Sequence, residues 1–292
     1  MRNDPLQSLQ EVDDEVARLV SSGIHIPPQP RIVIDATRLL LSRQCDLREV
    51  AQLISHDAGL TAMLYKITRS AAFSRARPPQ SVEQILALVG LRQTAVLVQA
   101  YGITAALKSA EKRSLEQFWN RTTNIAQLAS LICYERSHGG AVMPITPEQA
   151  YMIGIFHDCG VPVLMQRFPR YCKETGASGA NSWIDVHKED QAFQVDHCSI
   201  GYLLARHWRL PELVADAILW HHELAQIVPP PVRSLVAVLN LAMHLHAGEQ
   251  GLSEPDWGCM GHIVLDELGI HPDDMNEVAD RVMDMFRAES GR

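Results

Sequence analysis

The chain has 292 residues, 47% hydrophobic and 21% charged, enough to bury one large core or two modest ones. Its net charge of −8, a pI near 5.9 and the lack of any Lys/Arg block long enough to follow a phosphate backbone exclude nucleic acid as the main partner. The longest uncharged apolar stretches, AVLVQAYGITAAL and SLVAVLNLAMHLHA, fall short of the roughly 18 to 20 residues that cross a bilayer, MRNDPLQSL is no signal peptide, and Cys45, Cys133, Cys159, Cys172, Cys198 and Cys259 form no C-x-x-C pair, so a cytoplasmic protein with reduced thiols and no membrane partner is expected.

Asp4 followed by Pro5 reads as an N-cap with proline at the first helical position, and Leu6, Leu9, Val12, Val16, Leu19 and Val20 keep helical spacing until Gly23. The prolines of IHIPPQP then force an extended turn, and RIVIDATRLLLSRQ reads as a second helix. Asp46 with Glu49 resembles a capping box for LREVAQLISH; AGLTAMLYKITRSAAF continues at similar spacing. After the turn SRARPPQ, Ser81 and Gln84 open VEQILALVG, with Gly90 placed to stop it, and LRQTAVLVQAYGITAALK follows. The polar stretch KSAEKRSLEQ is the expected boundary between two lobes, continuing as helix rather than as a flexible linker.

Beyond it, Ser114 and Gln117 are expected to cap a helix over FWNRTTNIAQLASLICYERS. Thr146-Pro147-Glu148-Gln149 combines an N-cap, a first-turn proline and a capping-box glutamine, and opens a helix expected to carry His157 and Asp158 within IGIFHDCGVPVLMQRF. PRYCKETG and WIDVHKEDQAFQ read as short helices. Asp196 caps HCSIGYLLARHW, Pro211 opens ELVADAILWHHE, and VRSLVAVLNLAMHLHAG and PDDMNEVADRVMDMFRAE finish the chain. No run alternates apolar and polar residues between hairpin turns, so the expected fold is all α.

The chemistry is concentrated in histidine. Of thirteen, His25, His56, His138, His187, His207, His262 and His271 sit singly in polar or loop contexts and read as solvated surface. His157, His197, His221 and His222 sit among apolar helical neighbours, and with Asp158 they could gather round one divalent cation. The competing reading is structural: a buried hydrogen-bonded His157-Asp158 pair, His197 at a helix start, and His221-His222 closing a helix C-terminus, where a partly protonated imidazole favours the dipole.

The order of IPPQP, LISHDAGLTAMLYKITRSAAF, SVEQILALVGLRQT, FWNRTTNIAQLA, GIFHDCG and DHCSIGYLLARHWRLPELVADAILWHHE resembles the HDOD domain, a relative of HD-type metal-dependent phosphohydrolases. The resemblance covers most of residues 24–245. It implies a two-lobed all-helical protein, with 24–110 and 111–245 as the lobes; outside it, residues 1–23 read as an N-terminal helix and 246–292 as a helical extension. The family is usually a bacterial signalling output or scaffold module. Catalytic HD enzymes place a metal-binding histidine on the helix before the HD pair and use a late aspartate. Alignment puts Arg121 and Asn240 at those positions. A guanidinium cannot ligate a cation, and an amide oxygen is a poor substitute for a carboxylate. Pairing of Arg121 with Asp158 is therefore expected to supply the positive charge that the metal would have given. In HD proteins with two or three metals extra histidines occur in this part of the chain, so His157, Asp158, His197, His221 and His222 remain the residues of a degenerate site.

No G-x-x-x-x-G-K-[ST] loop, G-x-S-x-G elbow or G-x-G-x-x-G turn is present, which argues against P-loop, α/β-hydrolase and dinucleotide chemistry. Arg69, Arg75 and Arg77 could hold a phosphate or an acidic partner, or be plain solvated surface. Trp119, Trp208 and Trp220 read as packing anchors rather than a base-stacking platform. The expected function is non-catalytic regulation without a cofactor, through signalling proteins or a nucleotide-like ligand. The alternatives are a phosphohydrolase on nucleotides or cyclic dinucleotides using Mn, Fe or Zn, and an inactive HD pocket that still senses a nucleotide.

Overall fold

The computed structural model describes residues 23–24, 27–68, 79–106, 112–176, 184–227, 229–252 and 256–290. The helix expected at residues 5–22 and the arginines at 69, 75 and 77 lie outside them. Every regular element among the described residues is a helix. The chain divides into two compact units, one of residues 1–26 and 108–282, the other of residues 27–107 and 283–292.

The smaller unit holds α1 (Arg31–Leu40), α2 (Leu47–Ser55), α3 (Ala58–Thr68), α4 (Val82–Val89) and α5 (Leu91–Ala106). On α1, Val33, Ala36 and Leu40 are buried at the three-to-four-residue spacing of a single apolar face; that face packs on α2 and α5. The helix starts follow local chemistry. Asp46 accepts a hydrogen bond from Arg48 N at 2.8 Å. Ser81 accepts one from Gln84 N at 3.2 Å, while Gln84 Oε1 accepts from Gln80 N at 2.7 Å. Gly90, at φ 86°, supplies the positive angle that lets the chain turn from α4 into α5.

The larger unit is built on α6 (Lys112–His138), α7 (Pro147–Phe156) and α13 (Pro230–Glu249), which pack on one another. Around them run α8 (Gly160–Arg167), α9 (Tyr171–Thr175), α10 (Val186–Phe193), α11 (His197–His207), α12 (Glu212–Trp220), α14 (Trp257–Glu267) and α15 (Met275–Ser290). The last of these crosses from this unit into the other at residue 283. Residues 234–243 of α13 are all buried, as befits a helix apolar on every face. Thr146 and Gln149 make the full capping box, with Gln149 N to Thr146 Oγ1 at 3.3 Å and Thr146 N to Gln149 Oε1 at 2.9 Å.

Two expectations are corrected, and one helix was not singled out. Helix α6 begins at Lys112, so Ser114 lies inside it instead of capping it; the Lys, Arg, Leu, Glu and Gln around it all favour helix, and nothing stops the helix there. The run through His157 and Asp158 is two helices, α7 ending at Phe156 and α8 starting at Gly160. Helix α14 went unread because WGCMGHIVLDE has no side-chain cap: Asp256 precedes it without making a cap hydrogen bond.

Two close approaches position the site. A Cβ on Gly154 would stand 2.3 Å from Ala126 Cα, so α7 lies against the α6 backbone. A Cβ on Gly160 would stand 2.1 Å from His197 O, which brings the start of α8 onto the start of α11.

Candidate functional site: a buried histidine-aspartate cluster

His157 is the C-cap of α7, and Asp158 follows in the turn to α8. The Asp158 carboxylate is the centre of the cluster. Arg121, from α6, donates through Nη2 to its Oδ2 at 2.9 Å. His157 Nε2 stands 3.2 Å from the same oxygen, close but not aligned, so this buried nitrogen makes no hydrogen bond. On the other side, Oδ1 lies 3.3 Å from His197 Nε2 and 3.6 Å from His221 Nε2. Burial pushes the Asp158 carboxyl up, but His157, His221 and His197 outweigh it and hold it well below the usual carboxylate range.

The four imidazoles share one orientation. His157 Nδ1 bonds Gly154 O at 2.9 Å, His221 Nδ1 bonds Ile218 O at 2.7 Å, His222 Nδ1 bonds Asp256 at 2.6 Å and His197 Nδ1 bonds Glu189 at 2.7 Å. Each outer nitrogen faces an oxygen acceptor, which assigns it the proton and leaves Nε2 turned inward. The Nε2 atoms of His221 and His222 each lie 3.3 Å from that of His197. Glu189, fully buried on α10, also accepts from His197 N at 3.0 Å and from the Tyr171 hydroxyl. Burial lowers the His197 imidazole, but Cys198 and Glu189 reverse this and raise it well above its ordinary value.

The two halves of the cluster fit a metal differently. At Oδ2 the Arg121 guanidinium already supplies the positive charge, and a second cation there would be repelled. On the Oδ1 side three inward imidazole nitrogens, each oriented by an acceptor behind it, are the donor set that suits zinc or another borderline divalent ion. Asn240, at the expected late-aspartate position, uses both protons of its amide: Nδ2 donates to His221 O and Val236 O, each at 3.0 Å. An aspartate there would set a negative charge against two carbonyl oxygens. Asn240 therefore ties α13 to the end of α12 through its amide.

The structure thus brings together His157, Asp158, His197, His221, His222 and Arg121. His56, His138, His187, His207, His262 and His271 are exposed, and Trp208 and Trp220 are buried packing residues. Sequence reasoning missed Cys198, Glu189, Tyr171 and Asp256. For Cys198 the signal was available, since it directly follows His197 in the first turn of α11; the other three are brought in by tertiary packing alone.

An all-helical bundle with a buried His-Asp doublet at a turn between helices is the arrangement of HD-related proteins. A family model described as HDOD domain matches residues 26–224, and the chain belongs to that family. A protein of Treponema pallidum (strain Nichols) is 26% identical over 227 residues, 77% of this chain but only 43% of that protein, so the chain spans less than half the length of that relative. Among solved structures, an HDOD domain protein from Geobacter sulfurreducens is similar at 23% identity and a TM-score of 0.63, over 93% of this chain and 97% of that one. A protein from Shewanella amazonensis SB2B, provisionally named a phosphohydrolase, aligns at 20% identity and 0.64, over 97% and 95%. One from Marinobacter aquaeolei VT8, provisionally named a signal transduction protein, aligns at 20% and 0.68, over 93% of this chain and 60% of that one. At these identities the likeness is one of fold. Among the described residues no single helix is long and apolar enough to cross a membrane.

Proposed function

We propose that this chain is a non-catalytic signal-transduction module that works by binding a signalling protein or a small, nucleotide-like ligand on an HD-derived scaffold. The observation that carries the reading is the 2.9 Å contact of Arg121 with Asp158. A permanently protonated guanidinium occupies one face of the carboxylate on which hydrolytic chemistry would depend. The Asn240 hydrogen bonds support the reading from the other lost position, since they make that amide structural.

The second reading, a divalent-metal phosphohydrolase acting on nucleotides or cyclic dinucleotides, is favoured by the convergence of His197, His221 and His222 beside Asp158. In that reading His197, His221 and Asp158 Oδ1, with His222 beside His197, would hold the ion, which would supply an activated water and a Lewis acid for the phosphoryl group. The test is turnover of bis(p-nitrophenyl) phosphate and of cyclic dinucleotides by protein loaded in turn with manganese, iron and zinc. The expected outcome is no turnover above the metal-free control; turnover that Asp158→Ala abolishes overturns the proposal.

A further inference from the structure

On the side of the cluster away from Arg121, four potential ligand atoms crowd together: one nitrogen each from His197, His221 and His222, and the sulfur of Cys198, all within 4.8 Å of one another. His197, His221 and Cys198 are buried to 3% exposure or less, and the His222 side chain is 16% exposed. All six separations lie within 4.8 Å and the three that involve His197 suit a tetrahedral ion, while Cys198 Sγ stands 3.8 Å from His221 Nδ1. With metal–nitrogen bonds of roughly 2.05 Å and a metal–sulfur bond of about 2.3 Å, tetrahedral geometry requires N···N near ~3.3 Å and N···S near ~3.6 Å. The observed separations are 3.3 Å for His197 to His221, 3.3 Å for His197 to His222 and 3.6 Å for Cys198 Sγ to His197 Nε2.

Hydrogen bonding satisfies this arrangement only with added protons. Nδ1 of His221 and of His222 faces Ile218 O and Asp256, so Nε2 of each is turned toward His197. A single proton on His197 Nε2 can serve only one of them. The other needs a further proton shared with Asp158 Oδ1, 3.3 Å from His197 Nε2 and 3.6 Å from His221 Nε2, whereas one cation at the centre satisfies all three imidazoles at once. We propose that His197, Cys198, His221 and His222 form a closed zinc site, with the Cys198 thiolate in the position that a water would take in a catalytic centre. The thiol proton is released to solvent when the S–Zn bond forms. Glu189 and Asp256 stand behind His197 and His222 and fix their orientation. Four protein ligands leave no open position, so the ion is structural or regulatory. The inference extends the non-catalytic reading but does not require it, because it specifies the ligands and not the outcome of an assay.

The probe is cobalt(II), which replaces zinc and reports a thiolate ligand through a near-ultraviolet charge-transfer band. Reduced full-length protein, stripped with a chelator and titrated with cobalt under argon, is expected to bind one equivalent and show the band. Cys198→Ser removes the band and weakens zinc binding, measured against a competing chelator, by roughly 100-fold, while circular dichroism confirms that the variant folds. No cobalt binding, or binding without a thiolate band that Cys198→Ser leaves unchanged, overturns the site. A signal lost in Asp158→Asn but retained in Cys198→Ser overturns it in favour of an ion on the His-Asp doublet. Phosphodiester turnover by protein that shows the band would instead sink the non-catalytic reading and leave the thiolate site standing.

Discussion

The side chains of Arg121 and Asp158 are 12% and 7% exposed, and at that burial the loss of one partner is costly because the other charge stays desolvated with fewer groups to offset it. Replacing Arg121 by Ala is expected to destabilise the protein by about 3 kcal/mol, a fall in Tm of roughly 6 to 12 °C. Adding Asp158→Asn to that variant should restore much of the loss, since it removes the abandoned charge. An unchanged melting temperature in Arg121→Ala would show that the pair contributes nothing. His246 makes a second residue-scale case. Burial, then the charge of Arg121, lowers its pKa to about 4 although Glu249 opposes them. The folded protein thus keeps His246 neutral where the unfolded chain, with a pKa near ~6.5, already takes up a proton. Stability from this group is complete above that value and is lost as pH falls toward 4, to a total of about 3 kcal/mol. Urea unfolding of His246→Gln at pH 7 and pH 4.5 should show a shallower pH dependence than the wild-type chain; identical slopes would refute it.

Among the elements, the turn between α7 and α8 decides the site. Its Asp158 is presented by a chain reversal whose second arm, starting at Gly160, touches the carbonyl of His197. A methyl group at 2.1 Å from that oxygen meets backbone on both sides and has no flexible side chain to push aside. Gly160→Ala should therefore cost at least about 2 kcal/mol, readable as a lower denaturation midpoint, and should also weaken the cobalt signal, because α11 carries His197 and Cys198. Gly248, within α13 and with no atom within 4 Å of its added Cβ, is the control: Gly248→Ala should leave the cobalt signal unchanged and the midpoint equal or slightly higher. The capping residues Asp46, Ser81, Thr146 and Asp196 were legible in the sequence because cap chemistry is local: one side chain and the amides two or three residues on. The break at His157 was not read, although Pro162 carried the signal. Proline is tolerated in a first turn but not in mid-helix, so the apolar run had to be interrupted just before it. Nothing local could have announced Glu189, which reaches His197 only because the chain folds back between α10 and α11.

For the whole molecule, the all-helical class followed from the spacing of apolar residues and the caps in front of them. The His-Asp doublet and its pairing with Arg121 were also visible in the chain. What the sequence could not supply was direction. That all four imidazoles hold Nδ1 outward and Nε2 inward depends on acceptors contributed by Gly154, Ile218, Glu189 and Asp256, which lie on other turns or helices or, for Gly154 and Ile218, are backbone carbonyls that any residue could provide. The relatives named as phosphohydrolases and as signalling proteins share this fold at 20% identity, so the architecture itself is neutral between the two roles and the side chains on the doublet must discriminate.

Arg121 also determines how the pocket responds to its surroundings. A bound ion can be stripped by starvation, exchanged for a competitor or oxidised, and a carboxylate that relies on one shares those vulnerabilities. A guanidinium tethered through the peptide backbone can be neither sequestered nor swapped, so Oδ2 of Asp158 keeps this positive partner whether or not an ion is at hand.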